Sequence, residues 1–167
     1  MKRRGRVLIV DDDWASVDIL QRLLRAEYIL KTAGTGDECL AQLADFNPQL
    51  VLLDITMPGI SGHEACRRIK FSPLGDTVRI ILVSAKETII DHVRASDALA
   101  DDYLLKPFDH EEAVAKVRAQ FDAIDMKANS ESAMAAEFVG AGNQMSEQQR
   151  ARFAAALQKL GGSSGHS

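Results

Sequence analysis

Short apolar runs recur along the chain: RVLIV at 6–10, YILKTA at 28–33, LVLL at 50–53, VRIILV at 78–83 and DYLL at 102–105. Each is too short for a helix and ends at polar or turn-forming residues, which predicts five strands. The stretches between them carry a different rhythm. Val17, Leu20 and Leu24 repeat at intervals of three and four, as on one face of an amphipathic helix. GDECLAQLADF at 36–46, GHEACRRIKF at 62–71, TIIDHVRASDAL at 88–99 and HEEAVAKVRAQFDAI at 110–124 predict four more helices. Breakers stand between elements: Asn47-Pro48 before the third strand, Pro58-Gly59 after it, and Pro73 to Gly75 before the fourth. Strand and helix therefore alternate five times through residue 122, the pattern of a parallel sheet covered on both faces.

The texture changes beyond that point. Residues 123–145 are small, polar and punctuated by glycine, and are expected to form a linker with at most a short helix. SEQQRARFAAALQKL, 146–160, opens on the capping pair Ser146 and Gln149 and sets Phe153, Leu157 and Leu160 on one face, predicting an amphipathic helix. GGSSGHS, 161–167, reads as a disordered end.

Of the 167 residues, 46% are hydrophobic and 26% charged, ordinary values for one soluble domain with an appendage. A net charge of -4 gives no general attraction to nucleic acid, and no local basic face stands out to supply one. The basic start MKRRGR is followed by only four apolar residues before Asp11, too few for a signal-peptide core or a membrane span. A cytoplasmic protein with no membrane contact is expected. Cys39 and Cys66 fall on separate predicted helices without CxxC spacing and are expected to remain thiols.

The polar residues that follow each apolar run carry the chemistry. In an open α/β sheet the site lies beyond the carboxyl ends of the strands, where strand order reverses. Asp11 and Asp12 follow the first strand, Asp54 the third, Ser84 the fourth and Lys106 the fifth. Asp13 is accounted for as the cap of the next helix. Asp11 and Asp12 are not, and adjacent carboxylates repel unless something positive compensates them. Clustered carboxylate oxygens suit Mg²⁺. A carboxylate can serve as nucleophile toward a phosphoryl group, whose other oxygens a metal, a hydroxyl and an ammonium would hold. Taken singly, each residue has a duller reading as a cap, a turn or a surface charge. Their joint placement on four of five strand ends favours a phosphoryl-accepting site.

The doublet Asp11-Asp12, LLDITMPGISG with Asp54, VSA with Ser84 and DDYLLKPF with Lys106, in that order and spacing over 6–122, resemble the receiver domain of two-component response regulators. The resemblance implies a flavodoxin-like (βα)5 doubly wound sheet in the order 2-1-3-4-5, here with a C-terminal helical extension. It implies that Asp54 is the phosphoacceptor for a sensor histidine kinase or a phosphotransfer protein. Mg²⁺ would be held by Asp12 directly, by Asp11 through water, and by Asp54 and the backbone carbonyl of Thr56. Ser84 and Lys106 would bind the phosphoryl group, and Ser84 with Tyr103 would form the switch pair. Thr56 and Lys86 match positions that tune phosphoryl loss, Pro58 and Gly62 shape the loop after the phosphoacceptor, and Lys106-Pro107 matches a bond usually held cis. One departure stands out: Leu99-Ala100 occupies positions where receivers commonly have Gly-Ala. A leucine disfavours the left-handed backbone that glycine permits, so the end of the fourth predicted helix is expected to be set differently.

Two other functions are weighed. Phosphatases of the haloacid dehalogenase type also use an aspartate nucleophile, but theirs follows the first strand and a second aspartate stands two residues on, where this chain has Thr56. A phosphorylation-independent binding module on the same fold is disfavoured by the complete residue set. The 45 residues after 122 hold four acidic and four basic side chains, no helix-turn-helix pattern and no catalytic constellation. A stand-alone receiver acting by protein contact, with a second copy of the chain among the candidate partners, and the front of a longer regulator are both compatible with them.

Overall fold

The computed structural model describes residues 4–85, 99–142, 147–148, 151–152 and 154–155. The chain divides into two units, Met1–Asp122 and Ala123–Ser167.

In the first unit the elements run β1 (Arg6–Val10), α1 (Trp14–Leu24), β2 (Ile29–Ala33), α2 (Gly36–Phe46), β3 (Leu50–Asp54), α3 (Gly62–Lys70), β4 (Arg79–Ala85), β5 (Asp102–Lys106) and α4, which starts at His110 and continues to Gly142. All strand pairs are parallel, in the order β2-β1-β3-β4-β5. This is the parallel sheet that the strand and helix alternation predicts, in the flavodoxin-like order that the receiver resemblance implies. Side chains alternate across the pleat into two cores. Leu8, Val10, Val51, Leu53, Ile80 and Leu82 meet Cys39, Leu43, Ala65, Cys66 and Ile69 of α2 and α3. Val7, Ile9, Leu50, Leu52, Ile81 and Val83 meet Val17, Leu20 and Leu24 of α1 and Ala113 and Val117 of α4. Every residue of the central strand β3 is buried, whereas the edge strand β2 buries only Ala33. Asp54, the last residue of β3, thus emerges at the middle of the sheet's carboxyl edge.

Local chemistry fixes where the helices begin. Asp13 caps α1, accepting from the Ala15 N–H at 3.2 Å and the Ser16 hydroxyl at 2.8 Å. Thr35 caps α2, and Glu38 reaches back to the Gly34 N–H, so each satisfies a donor for the other end of the turn. Burial pushes the Cys39 thiol up to about 12 and the Cys66 thiol up to about 11, which leaves almost no thiolate at neutral pH.

Three boundaries differ from expectation. Strand β4 extends to Ala85, so Ser84 lies inside the strand, paired with Leu105, rather than after it. Tyr28 stands outside β2 and stacks on Phe121, ring centroids 4.7 Å apart, because an aromatic contact with α4 outweighs one more residue of edge pairing. The expected linker is corrected most: α4 is helical to Gly142. Residues 123–139 hold no proline or glycine and include Ala123, Ala128, Ala133, Ala135, Ala136, Met126, Met134, Glu131 and Glu137, strong helix formers that extend a helix already nucleated by packing. Residues 126–137 are all exposed.

Lys86 and most of the fourth predicted helix lie outside the described residues, as do Ser146, Gln149, Phe153, Leu157, Leu160 and 161–167; the described residues between 147 and 155 are helical. Leu99 and Ala100 form a turn packed partly buried against the first core. Asn47 is the one non-glycine residue with positive φ among those described, so Leu99 has no left-handed backbone to strain it. No helix among the described residues is long and apolar enough to cross a membrane.

Candidate functional site

The carboxyl edge of the sheet gathers the acids from different strands. Ligand atoms of Asp11, Asp12 and Asp54 lie within 4.8 Å of one another. Asp11 and Asp54 are buried, at 5% and 6% exposure, while Asp12 faces solvent. Lys106, from the end of β5, donates to Asp11 Oδ2 at 2.6 Å and stands 3.7 Å from Asp54 Oδ2. The other oxygen of each buried acid is held by backbone: Asp11 Oδ1 accepts from the Asp13 N–H at 2.9 Å, and Asp54 Oδ1 from the Thr56 N–H at 3.2 Å.

Among the described residues, the two buried carboxylates therefore share one ammonium. Burial pushes Asp54 up to about 6, and the negative Asp11 beside it adds to the rise; Lys106 and the Thr56 N–H only partly oppose them. Burial pulls the Lys106 ammonium down, yet the hydrogen bond and charge of Asp11, with Asp54 and Asp13 behind, hold it above the usual lysine value. Hydrogen bonding to Ser16 and the Ala15 N–H lowers Asp13 and keeps it a charged cap. The undercompensated set of hard oxygen donors fits a divalent cation such as Mg²⁺, for which Asp11, Asp12 and Asp54 are the available carboxylate ligands.

The loop after β3 is bent back onto the site. Gly59 has φ +78°, the left-handed turn that glycine permits after Pro58. Gly62 opens α3 so close to β3 that a Cβ there would sit 2.2 Å from the Asp54 carbonyl oxygen and 2.6 Å from the Ile55 Cα. Its N–H donates to the Ile55 carbonyl at 2.9 Å. Gly62→Ala is expected to cost about 3 kcal/mol, since backbone cannot yield as a side chain would. Urea unfolding checks it; an unchanged midpoint contradicts this close approach.

Ser84 is buried at 2% exposure, one residue past Val83, which pairs with Asp54. Tyr103 is half-buried on β5 against the first core, and Thr56 and Pro58 are exposed. The Lys106-Pro107 peptide bond is cis. The structure thus brings Asp11, Asp12, Asp54 and Lys106 into one cluster, with Thr56 bonded to it and Ser84 on the neighbouring strand; Tyr103 lies three residues back along β5. Sequence reading did not anticipate what Asp101 does. Its carboxylate accepts from the Ile80 N–H at 2.8 Å and Lys70 Nζ at 3.0 Å, tying the start of β5 to β4 and α3. The acidic pair before YLL was its only trace.

A family model described as the response regulator receiver domain matches residues 7–118. The chain belongs to this family. The receiver is 37% identical over 118 residues to the DNA-binding response regulator MtrA of Mycobacterium tuberculosis, covering 70% of this chain and 50% of MtrA. It is 40% identical over 115 residues to the response regulator MprA of a Mycobacterium species, covering 68% and 49%. This chain thus spans about half the length of those curated relatives. Among solved structures, the response regulator DrrB, a Thermotoga maritima OmpR/PhoB homologue, matches at 30% identity and TM-score 0.60 over 72% of this chain and 54% of its own. A CheY-like receiver domain protein of Methanospirillum hungatei matches at 28% identity and TM-score 0.63 over 75% and 99%.

Proposed function

We propose that this receiver accepts a phosphoryl group on Asp54 from the phosphohistidine of a sensor kinase or phosphotransfer protein, in a Mg²⁺-dependent reaction, and signals through the resulting conformational change. The observation that carries the reading is the Asp11, Asp12 and Asp54 cluster with Lys106 reaching both buried acids.

In this reading one Asp54 carboxylate oxygen attacks phosphorus while the phosphorus–nitrogen bond breaks. The imidazole nitrogen leaves with the bonding pair and takes up a proton. Asp12, Asp54 and the Thr56 carbonyl, with Asp11 through water, would hold Mg²⁺, which would supply positive charge to the transferring oxygens. Phosphoryl transfer asks little else of a protein beyond positioning and charge. The Thr56 N–H holds Asp54 Oδ1, which leaves Oδ2 on the Lys106 side. Lys106 then pairs with a phosphoryl oxygen as a point charge, and the Ser84 hydroxyl donates to another.

The added charge at Asp54 biases an existing equilibrium in which Ser84 and Tyr103 move together. Thr56 and Lys86 tune how long the phosphoryl group persists, Pro58, Gly62 and Pro107 shape the surrounding loops, and the setting is cytoplasmic. MtrA is described as DNA-binding, and the matched residues of this chain cover 50% of it. For this chain the proposed output is a protein contact, with a second copy among the candidates.

The test is the intact mass of the protein after incubation with acetyl phosphate, with and without Mg²⁺. The wild type is expected to gain one phosphoryl group only with Mg²⁺, and Asp54→Ala to gain none. Modification of Asp54→Ala to the same extent, or of the wild type equally without metal, overturns the assignment.

A further inference from the structure

Asp18, Gln21, Arg22 and Arg25 recur at intervals of three and four, beside the buried row of α1, and so share one side of that helix. With Tyr28 and Leu30, just before and within the edge strand β2, they line a cavity of about 650 Å³. None of them belongs to the acid cluster. Leu30 pairs with Val7 near the start of β1, whereas Asp11 follows the end of that strand. Four residues of strand, about 13 Å, separate the two levels of the sheet.

The lining has a definite chemistry. Two guanidiniums and one carboxylate border the cavity, in a molecule whose net charge is -4. Arg22 is paired with Asp18 at 3.0 Å, but the two side chains are 71% and 41% exposed, and a surface pair of this kind yields readily to a stronger anion. Arg25 makes no ion pair among the described residues. Arg4 brings a third guanidinium to this end of α1, donating to the carbonyl of Ala26, the residue after Arg25. Glu27, the next acid along the chain, is taken up by Arg118. Leu30 and Tyr28, the latter held by its stack on Phe121, supply the apolar part of the wall.

Neighbouring guanidiniums hold a phosphate through parallel N–H donors, more firmly than they hold a solvated carboxylate. A phosphate ion, a few times the roughly 30 Å³ share of a water molecule, fills only a small part of the space. The whole cavity is of the size that takes an organic ligand. The remainder combines an apolar surface with Gln21, which can donate and accept, and with Asp18, which can accept once Arg22 turns to the phosphate. That combination suits a sugar hydroxyl or the amino edge of a base. We propose that this cavity is a binding site for a nucleoside phosphate, with Arg22 and Arg25 on the phosphate and Asp18 and Gln21 on the sugar or base, separate from the acid cluster.

Calorimetry on the full chain tests this, with AMP, GMP, CMP and UMP, their nucleosides and inorganic phosphate as probes. A chelator is present throughout, so that no nucleotide reaches the acid cluster through a metal ion. At least one monophosphate is expected to bind one per chain with a Kd on the order of 100 μM or below. Its nucleoside and inorganic phosphate are each expected to bind at least tenfold more weakly. The double variant Arg22→Gln, Arg25→Gln is expected to lose at least tenfold in affinity for the nucleotide. Its urea midpoint stays near the wild-type value, because both side chains are exposed. In the bound protein the amide resonances from Asp18 to Leu30 shift, and those of Asp11, Asp12 and Asp54 do not. Absence of saturable binding by every monophosphate up to about 1 mM overturns the proposal. So does inorganic phosphate binding as tightly as the nucleotide, an undiminished affinity in the double variant, or shifts confined to the acid cluster.

Discussion

Replacing Asp54 by asparagine is expected to stabilise the metal-free protein by about 3 kcal/mol at pH 7.5, and by only about 0.5 kcal/mol at pH 4. The sign follows from the direction of the shift. Asp54 is raised from 3.8 to about 6, chiefly by burial and then by Asp11, so the folded state binds more protons than the unfolded state between those values. Stability contributed by the neutral carboxyl is complete below the unfolded value and is lost as pH rises through the folded one. Asparagine carries no charge to desolvate and escapes that loss. Urea unfolding of both proteins in a chelator, across pH 4 to 7.5, measures the difference. Adding Mg²⁺ at neutral pH is expected to reverse the ranking, because a ligand that binds only the folded state stabilises it by mass action and the variant has lost a carboxylate. A wild type more stable than the variant at pH 7.5 without metal would show that Asp54 carries no electrostatic penalty.

The second large effect concerns Lys106. Lys106→Met removes the one cation, among the described residues, that is bonded to Asp11 and lies within ion-pair distance of Asp54, leaving the buried acids without that charged partner. Breaking such a pair from one side costs on the order of 3 kcal/mol in the absence of metal. Two further consequences point in opposite directions. Mg²⁺ binding strengthens by roughly tenfold, since a positive charge competing for the same carboxylates is gone. Phosphorylation by a small donor slows by roughly 100-fold, the usual cost of deleting one preorganised donor to a transferring oxyanion. Calorimetric Mg²⁺ titration and the rate of mass gain separate the two. If metal affinity, stability and rate all stay at wild-type values, Lys106 neither balances the acids nor meets the phosphoryl group.

The architecture was legible because its signals are local and repeated. Five apolar runs of strand length, each followed by helical spacing, leave few arrangements other than a parallel sheet wrapped on both sides. The site residues were legible for the same reason: strand ends can be found from periodicity, and Asp11, Asp12, Asp54 and Lys106 stand at them. Helix continuation past residue 122 was harder to read. Propensity is a weak guide in a segment mixing Ala and Glu with Ser and Asn, and the nucleus that tips the balance is the packed first half of α4. The role of Asp101 was hidden because Lys70 and the Ile80 N–H lie 31 and 21 residues away in the chain.

The sequence by itself determined the order of elements, the two-faced burial of the central strands and the residue types available for phosphoryl chemistry, since all three follow from spacing along one dimension. Tertiary structure decided which of those residues share a solvent-poor space. It set Lys106 against Asp11 across 95 positions of chain, buried Asp54 while leaving Asp12 exposed, and made Gly62 obligatory by pressing α3 onto β3. Charge interactions depend on distance and surrounding dielectric, and neither quantity exists until the chain has folded.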